Sequence, residues 1–164
     1  MSNFTRVPSG WVIPAVRLVL ALCLVGGTAL CWAQSMTLAS DWKTIDDKTG
    51  KPKALIRIVE QTDGSYSGTV IRGLVPSADP NRVCTACRGA LKDQKIIGMT
   101  ILTGLRKDGA GSYSGGEIVD PDNGKTYHCK AWLIEGGGRL KVRGYIGIPL
   151  LGRTQTWVRE KEAP

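Results

Sequence analysis

Turn signals set at short intervals constrain this chain more than any other feature. Thr62-Asp63-Gly64, Lys107-Asp108-Gly109-Ala110-Gly111, Asp120-Pro121-Asp122-Asn123-Gly124 and Gly136-Gly137-Gly138 separate short runs rich in Val, Ile, Thr, Tyr and Trp. Asp-Gly and Asn-Gly favour tight hairpin turns, whose central residues need positive φ. Beyond Ala33 no stretch carries an apolar face at helical spacing. Hairpins of short strands are therefore the building material.

Eight strands are predicted, at 41–45, 54–60, 66–74, 95–102, 112–119, 126–134, 139–146 and 154–159. The connections are short except for Val75 to Gln94, which holds Pro76, Pro80 and two Cys, with room for a helical turn capping one end. An open eight-stranded meander exposes two edges, and closure removes both. The expected fold is all-β: a small closed antiparallel up-and-down β-barrel of about eight strands. Alternation then splits each strand between lumen and outside. The lumen candidates, and so the candidate ligand contacts, are Ile56, Ile58, Val70, Ile97, Met99, Ile101, Leu140 and Val142. Closure would also bring Trp42, near the first strand's start, to Arg153, Trp157 and Arg159 on the last, with an Arg laid over a Trp face. One pentapeptide recurs, Gly64-Ser65-Tyr66-Ser67-Gly68 and Gly111-Ser112-Tyr113-Ser114-Gly115. It reads as one hairpin solution used twice, a turn Gly followed by an aromatic that covers a barrel end.

The N-terminal segment stands apart. Arg6 and Arg17 precede an apolar run of 13 residues, Leu18 to Leu30, and no acidic residue occurs before Asp41. The run is short for a membrane span and suits a signal-peptide core, with cleavage after Ala33. An uncleaved anchor is the alternative. A lipoprotein would need a small residue before its Cys, and Leu precedes both Cys23 and Cys31. The expected layout is a signal at 1–33, a lead at 34–40, the barrel at 41–160 and a tail at 161–164. The mature chain of 131 residues would carry a net charge of +6 and three Cys: Cys84, Cys87 and Cys129.

Little in this chain suits catalysis. With one His, His128, and no Gly-x-Ser-x-Gly elbow, a hydrolase triad lacks parts. His128 and its neighbour Cys129 point to opposite faces of one strand and cannot chelate together. No metal site or cofactor is expected. Cys84-Thr85-Ala86-Cys87 suits a structural disulfide in an oxidising compartment. Cys129 could instead pair with either member. A thiol-redox role would need a βαβ setting, which a proline-bearing loop in a β-meander does not offer. Asp120, Asp122 and Asn123 read as a turn and not a calcium loop, and no Gly-rich loop leads into a helix to cradle phosphate. Export removes nucleic acid as a natural partner, and no transmembrane segment follows signal cleavage. The basic excess reads by default as a solvated face, and beyond that favours an anionic envelope surface or ligand.

Several spaced features resemble a known family. Trp42…Asp47…Gly50-Lys51, Cys84-x-x-Cys87…Gly89 and Gly98…Ile101-Leu102 occur in order. Gly115-Gly116-x-Ile118-x-Asp120-Pro121…Gly124-Lys125-x-Tyr127, Leu140-x-Val142-Arg143-Gly144-Tyr145 and Gly152-Arg153-Thr154-Gln155-Thr156-Trp157-x-Arg159 follow. The set is similar to the exported bacterial family catalogued as domain of unknown function 2147, over nearly all of residues 40–160. The resemblance implies a lipocalin-like β-barrel in the periplasm. It implies no activity.

Two functional readings follow. A non-enzymatic periplasmic protein could hold a small apolar or amphipathic ligand, since Gly68, Gly98, Gly115 and Gly144 would keep the lumen wall thin. Alternatively the barrel is filled, and the protein is a structural or interaction component of the cell envelope. A continuous apolar cavity below ~300 Å³ would favour the second.

Overall fold

The structure is a computed structural model and describes residues 37–77 and 79–161. The expected signal peptide and its cleavage point lie outside the described residues. Eight strands form a closed antiparallel barrel in chain order: β1 (Ser40–Ile45), β2 (Pro52–Glu60), β3 (Tyr66–Gly73), β4 (Thr100–Gly109), β5 (Ser112–Asp120), β6 (Lys125–Ile134), β7 (Arg139–Tyr145) and β8 (Arg153–Arg159). The circle closes through Trp42↔Arg159, Lys43↔Val158 and Thr44↔Trp157 between β1 and β8. Closure leaves neither terminal strand with a free edge.

Alternation sorts the side chains. On β3, Tyr66, Gly68 and Val70 are buried while Ser67 and Thr69 are not; on β7, Leu140 and Val142 are buried. On β6, Cys129 is buried and His128 is exposed, which puts them on opposite faces. Two irregularities bend the wall. Between β3 and β4 the register shifts beside Leu102, and the consecutive Ile101 and Leu102 are both buried. On β5 Gly115 takes φ 75° where the pairing with β6 slips, turning the strand between Tyr113 and Gly116.

The fourth strand differs from expectation. It starts at Thr100 and runs to Gly109, instead of spanning 95–102. Lys95 pairs with Val83 inside the long loop, and Ile96 donates its N–H to the Arg82 carbonyl. The apolar alternation of 95–97 thus packs a loop, and only Gly98 and Met99 reach the sheet, bonding Val70 of β3. Ile97, a lumen candidate, sits on this loop and is 37% exposed. The turn after β4 is correspondingly shorter, because Gly109 still pairs with Ser112.

The connections separate into two ends. At one lie the chain entry at 37–39 and the β2–β3, β4–β5 and β6–β7 turns. This end is solid: Leu38, Trp42, Ile58, Tyr66, Leu105, Tyr113 and Leu140 are all buried there. The two copies of the pentapeptide meet here. Tyr66 and Tyr113 pack edge to face with ring centres 5.2 Å apart, and the Tyr66 hydroxyl donates to Glu60 Oε2 at 3.0 Å. Burial, and then the carboxylate beside it, raises the Tyr66 pKa. One hairpin solution, used twice, closes this end.

The other end carries the β1–β2, β3–β4, β5–β6 and β7–β8 loops. The long β3–β4 loop contains a 3₁₀ turn, Gly89–Leu91. It is held by the Cys84–Cys87 disulfide, which leaves Cys129 free and buried. The disulfide segment packs directly on the Asn123-Gly124 turn. Gly124 has φ 69°, and a Cβ there would lie 1.9 Å from the Ala86 carbonyl oxygen. Positive φ disfavours any L side chain, and the neighbour is backbone that cannot swing aside. Gly124→Ala is therefore expected to lower stability by about 2–3 kcal/mol, read by denaturant titration. An unchanged midpoint would show that the loop does not depend on this seat.

Candidate functional site

The interior above the solid end is hollow. A cavity of about 960 Å³ opens between the loops of the second end. Its inner wall is apolar: Ile56, Val70, Ile101, Ile118, Val142 and Trp157 line it. Five of the eight lumen candidates line this space, namely Ile56, Val70, Ile97, Ile101 and Val142, with Ile97 at its mouth. Ile58 and Leu140 are buried in the solid half, and Met99 is buried in the core cluster without lining the cavity.

Glycines contribute to this space less than their number suggests. Gly144 lines the cavity, 3.4 Å from Tyr127 Cβ if a Cβ is placed on it. Gly68 is crowded, with Ile56 and Leu102 atoms 3.2 Å from the same construction. Gly98 lies in the loop before β4, and Gly115 serves the bulge and has open space beside it. The hollow comes mainly from where the large side chains stop.

The mouth is ringed by charge that is mostly paired. Asp122, on the β5–β6 turn, accepts from Lys53 at the start of β2 and from Arg82 of the long loop at 2.8 Å. Burial alone would raise the Asp122 carboxyl, but the hydrogen bonds and charges of Lys53 and Arg82 outweigh it and hold the pKa below its ordinary value. One carboxylate thus ties three segments of the rim. Arg153 Nε donates to Asp47 at 2.8 Å across the β8–β1 seam. Asn123 bonds both the Asp120 carboxylate at 2.8 Å and the Tyr127 hydroxyl at 3.1 Å. Arg72 is different. The β3 alternation that turns Tyr66, Gly68 and Val70 inward places it at the cavity mouth, and no ion pair engages it among the described residues.

The four expected closure residues divide between the two ends. Arg159 lies over Trp42, with its guanidinium carbon 4.3 Å from the ring centre. Its Nε donates to the Gly137 carbonyl at 2.7 Å and another nitrogen to the Thr37 carbonyl at 2.8 Å, while the Trp42 indole donates to the Leu38 carbonyl at 2.9 Å. Trp157 is buried in the cavity wall. Arg153 is at the mouth on Asp47, six residues or about 20 Å along the strand from Arg159. Sequence reasoning missed Ile118, Trp157 and Tyr127 as lining residues. Ile118 stands two positions beyond the buried Gly116, so the alternation could have identified it.

Chemical groups are sparse in the hollow. His128 is on the outside, its ring 5.6 Å from that of Tyr145. Cys129 is inside, fully buried, and burial pushes its thiol up to about 12. Among the described residues no three His, Cys, Asp or Glu side chains cluster to hold a metal. A buried neutral thiol is a poor nucleophile, because the thiolate is the reactive form. Its raised pKa also couples to stability. The contribution is complete below the ordinary thiol value of 9.0 and is lost as pH rises towards about 12, since only the unfolded chain releases the proton. Cys129 in the native protein is therefore expected to resist iodoacetamide at pH 8 and to alkylate fully once unfolded, followed by mass spectrometry. Rapid native labelling would contradict its burial.

Removing the Arg159 side chain strips the closed end of a cation–π contact and two carbonyl partners at once. Arg159→Ala is expected to cost about 2–3 kcal/mol, with Arg159→Lys recovering less than half, because an ammonium cannot stack flat and bond both carbonyls. Thermal denaturation checks this, and equal stability of all three proteins would refute it.

Comparisons with known proteins agree with this architecture. A solved structure from Helicobacter pylori, HP1028, described as belonging to the lipocalin family, matches with a TM-score of 0.68 at 22% identity, covering 78% of this chain and 86% of that one. That likeness extends to the fold. No curated protein matches by sequence. The model of the bacterial family described as "Uncharacterized protein conserved in bacteria (DUF2147)" matches residues 40–159, from the first residue of β1 to the last of β8. The chain belongs to this DUF2147 family.

Proposed function

We propose that this is an exported periplasmic carrier that holds one small amphipathic molecule in the barrel, its apolar part inward and its polar end at the mouth. The observation that carries the reading is the cavity of about 960 Å³, apolar within and polar at the rim. Ligand sites typically occupy ~300–1,000 Å³ with a few placed polar groups at their edge. A filled barrel serving as an envelope scaffold would have no use for such a space.

Export is part of the proposal. The apolar run Leu18 to Leu30 behind Arg6 and Arg17 supports it, as does the Cys84–Cys87 disulfide, a bond that persists in oxidising compartments. No helix among the described residues is long and apolar enough to cross a membrane. The ligand is held without chemistry: no described nucleophile stands beside a base in the hollow. Arg72, at the mouth and without an ion-pair partner among the described residues, favours a ligand whose polar end is anionic.

Native mass spectrometry of protein taken from its own periplasm asks what copurifies. In solution, an anilinonaphthalene sulfonate probe should enter the cavity and brighten, and long-chain carboxylates should displace it. Val142→Trp projects an indole into the hollow and is expected to weaken probe binding at least about tenfold while leaving the far-ultraviolet circular dichroism unchanged. If the variant binds the probe as the parent does, or the parent binds none of these molecules, the carrier reading is wrong.

A further inference from the structure

Beside the mouth stands a feature that the cavity does not require. In the β7–β8 loop Ile146, Ile148, Leu150 and Leu151 are 63%, 56%, 81% and 79% exposed. Scattered exposed aliphatics are ordinary, but four in six residues make a contiguous apolar tip. The loop is also built to present them. Arg143 reaches into it from β7, donating Nε to the Pro149 carbonyl at 2.7 Å, a second nitrogen to the Leu150 carbonyl at 3.0 Å, and a third to Thr154 Oγ1 at 2.7 Å. Gly152 folds the loop back tightly, since a Cβ there would meet the Gly144 carbonyl oxygen at 2.6 Å. The carbonyls of Ile148, Pro149 and Leu150 are thereby met within the loop, and the aliphatic side chains are turned outward. Backbone bonded in this way loses little on leaving water, whereas free carbonyls would be costly to desolvate.

Charge identifies the partner. The loops of this end and their flanking residues, 46–53, 72–99, 120–127 and 143–153, hold eleven Lys and Arg against six Asp and no Glu. The rest of the described chain holds nine basic against seven acidic residues. At this end Lys48, Lys51, Arg72, Arg88 and Lys125 have no side-chain partner among the described residues. An apolar tip set among unpaired cations complements an anionic bilayer, where insertion and attraction act together. Ile146 and Leu151 also line the cavity, so the apolar surface continues from the tip into the hollow.

We propose that the protein docks through this loop on the surface of an anionic lipid bilayer, with Ile148, Leu150 and Leu151 inserted and the barrel mouth facing the lipid. A molecule passing between bilayer and lumen then stays against apolar surface for most of its path. Docking goes beyond the carrier reading and does not depend on it, because Ile148 and Leu150, with Lys51, Arg88 and Lys125, lie outside the cavity lining.

The test uses the full chain, expressed with its own N-terminal segment and purified in the form that accumulates. Vesicles of phosphatidylglycerol and phosphatidylcholine are compared with phosphatidylcholine alone. Co-sedimentation should be at least about tenfold stronger on the anionic vesicles, and Leu150→Asp combined with Leu151→Asp should weaken it by a similar factor. Because an uncleaved N-terminal segment could itself bind lipid, Leu150→Trp supplies a direct readout. Its added fluorescence, taken as the difference from the parent, should shift to the blue and be quenched by brominated acyl chains. Val142→Trp should dock normally, so loss of probe uptake and loss of docking are separable. An added indole that stays unquenched, or a double-aspartate variant that sediments as the parent does, overturns the proposal. The latter result would leave the tip as a surface for a protein partner.

Discussion

The seam between β1 and β8 is the contact on which the rest of the structure depends. Seven of the eight strand pairings join neighbours in sequence, all but β3–β4 through short connections. The eighth must bring the two ends of the domain together, and only three residue pairs form it. So short a ladder needs support from outside its own hydrogen bonds. Arg159 provides it at one end, stacking on Trp42 while bonding the Gly137 and Thr37 carbonyls. Arg153 provides it at the other by pairing with Asp47. Two arginines therefore clamp the seam at its extremities, one beneath the buried tyrosines and one at the mouth.

Closure also determines where the empty space lies. The large aromatics Trp42, Tyr66 and Tyr113 gather at the end where the chain enters, and Leu38 packs with them. Above them the inward residues are aliphatic, and small residues occupy some of the positions where bulk would block the hollow. Gly116, Cys129 and Gly144 pair across β5, β6 and β7 at a single level. A Cβ on Gly116 would come within 2.7 Å of Leu105, so that position is small because its neighbour needs the room. The result is a solid base under an open cup, an asymmetry that uniform alternation along the strands would not produce.

Much of the fold was legible because turn chemistry is local. The Asn123-Gly124 and Asp63-Gly64 hairpins, the pairing of the two Tyr-bearing pentapeptides with one barrel end, and the opposed faces of His128 and Cys129 all follow from neighbours in sequence. The misplaced fourth strand shows where locality fails. Residues 95–99 alternate as a strand would, yet Lys95 and Ile96 pair with Val83 and Arg82 of the same loop, and only Gly98 and Met99 bond β3, at Val70. Which segment wins the edge of β3 is decided by long-range packing, including the seat of Ala86 on Gly124. The closure residues were legible as members of the β1–β8 seam, where Arg159 lies over Trp42, but their levels along it were not. Arg153 and Arg159 share a strand and a likeness of type, but the barrel's length sends them to opposite ends. Only the register separates them.

The distinction between the two ends bears on how such a barrel could work. A cup closed at its base exchanges its contents through one opening, so whatever surrounds that opening controls access. Here the surroundings combine ion pairs that hold the loops, Asp122 with Lys53 and Arg82, with Arg72, which has no ion pair among the described residues, and an apolar loop held by Arg143. These are opposite uses of the same residue type. Where Arg meets carboxylate the rim is fixed in place, and where it meets loop carbonyls it turns aliphatic side chains towards the exterior. The basic excess noted in the sequence is therefore greatest at the open end, where Lys48, Lys51, Arg72, Arg88 and Lys125 have no side-chain partner among the described residues.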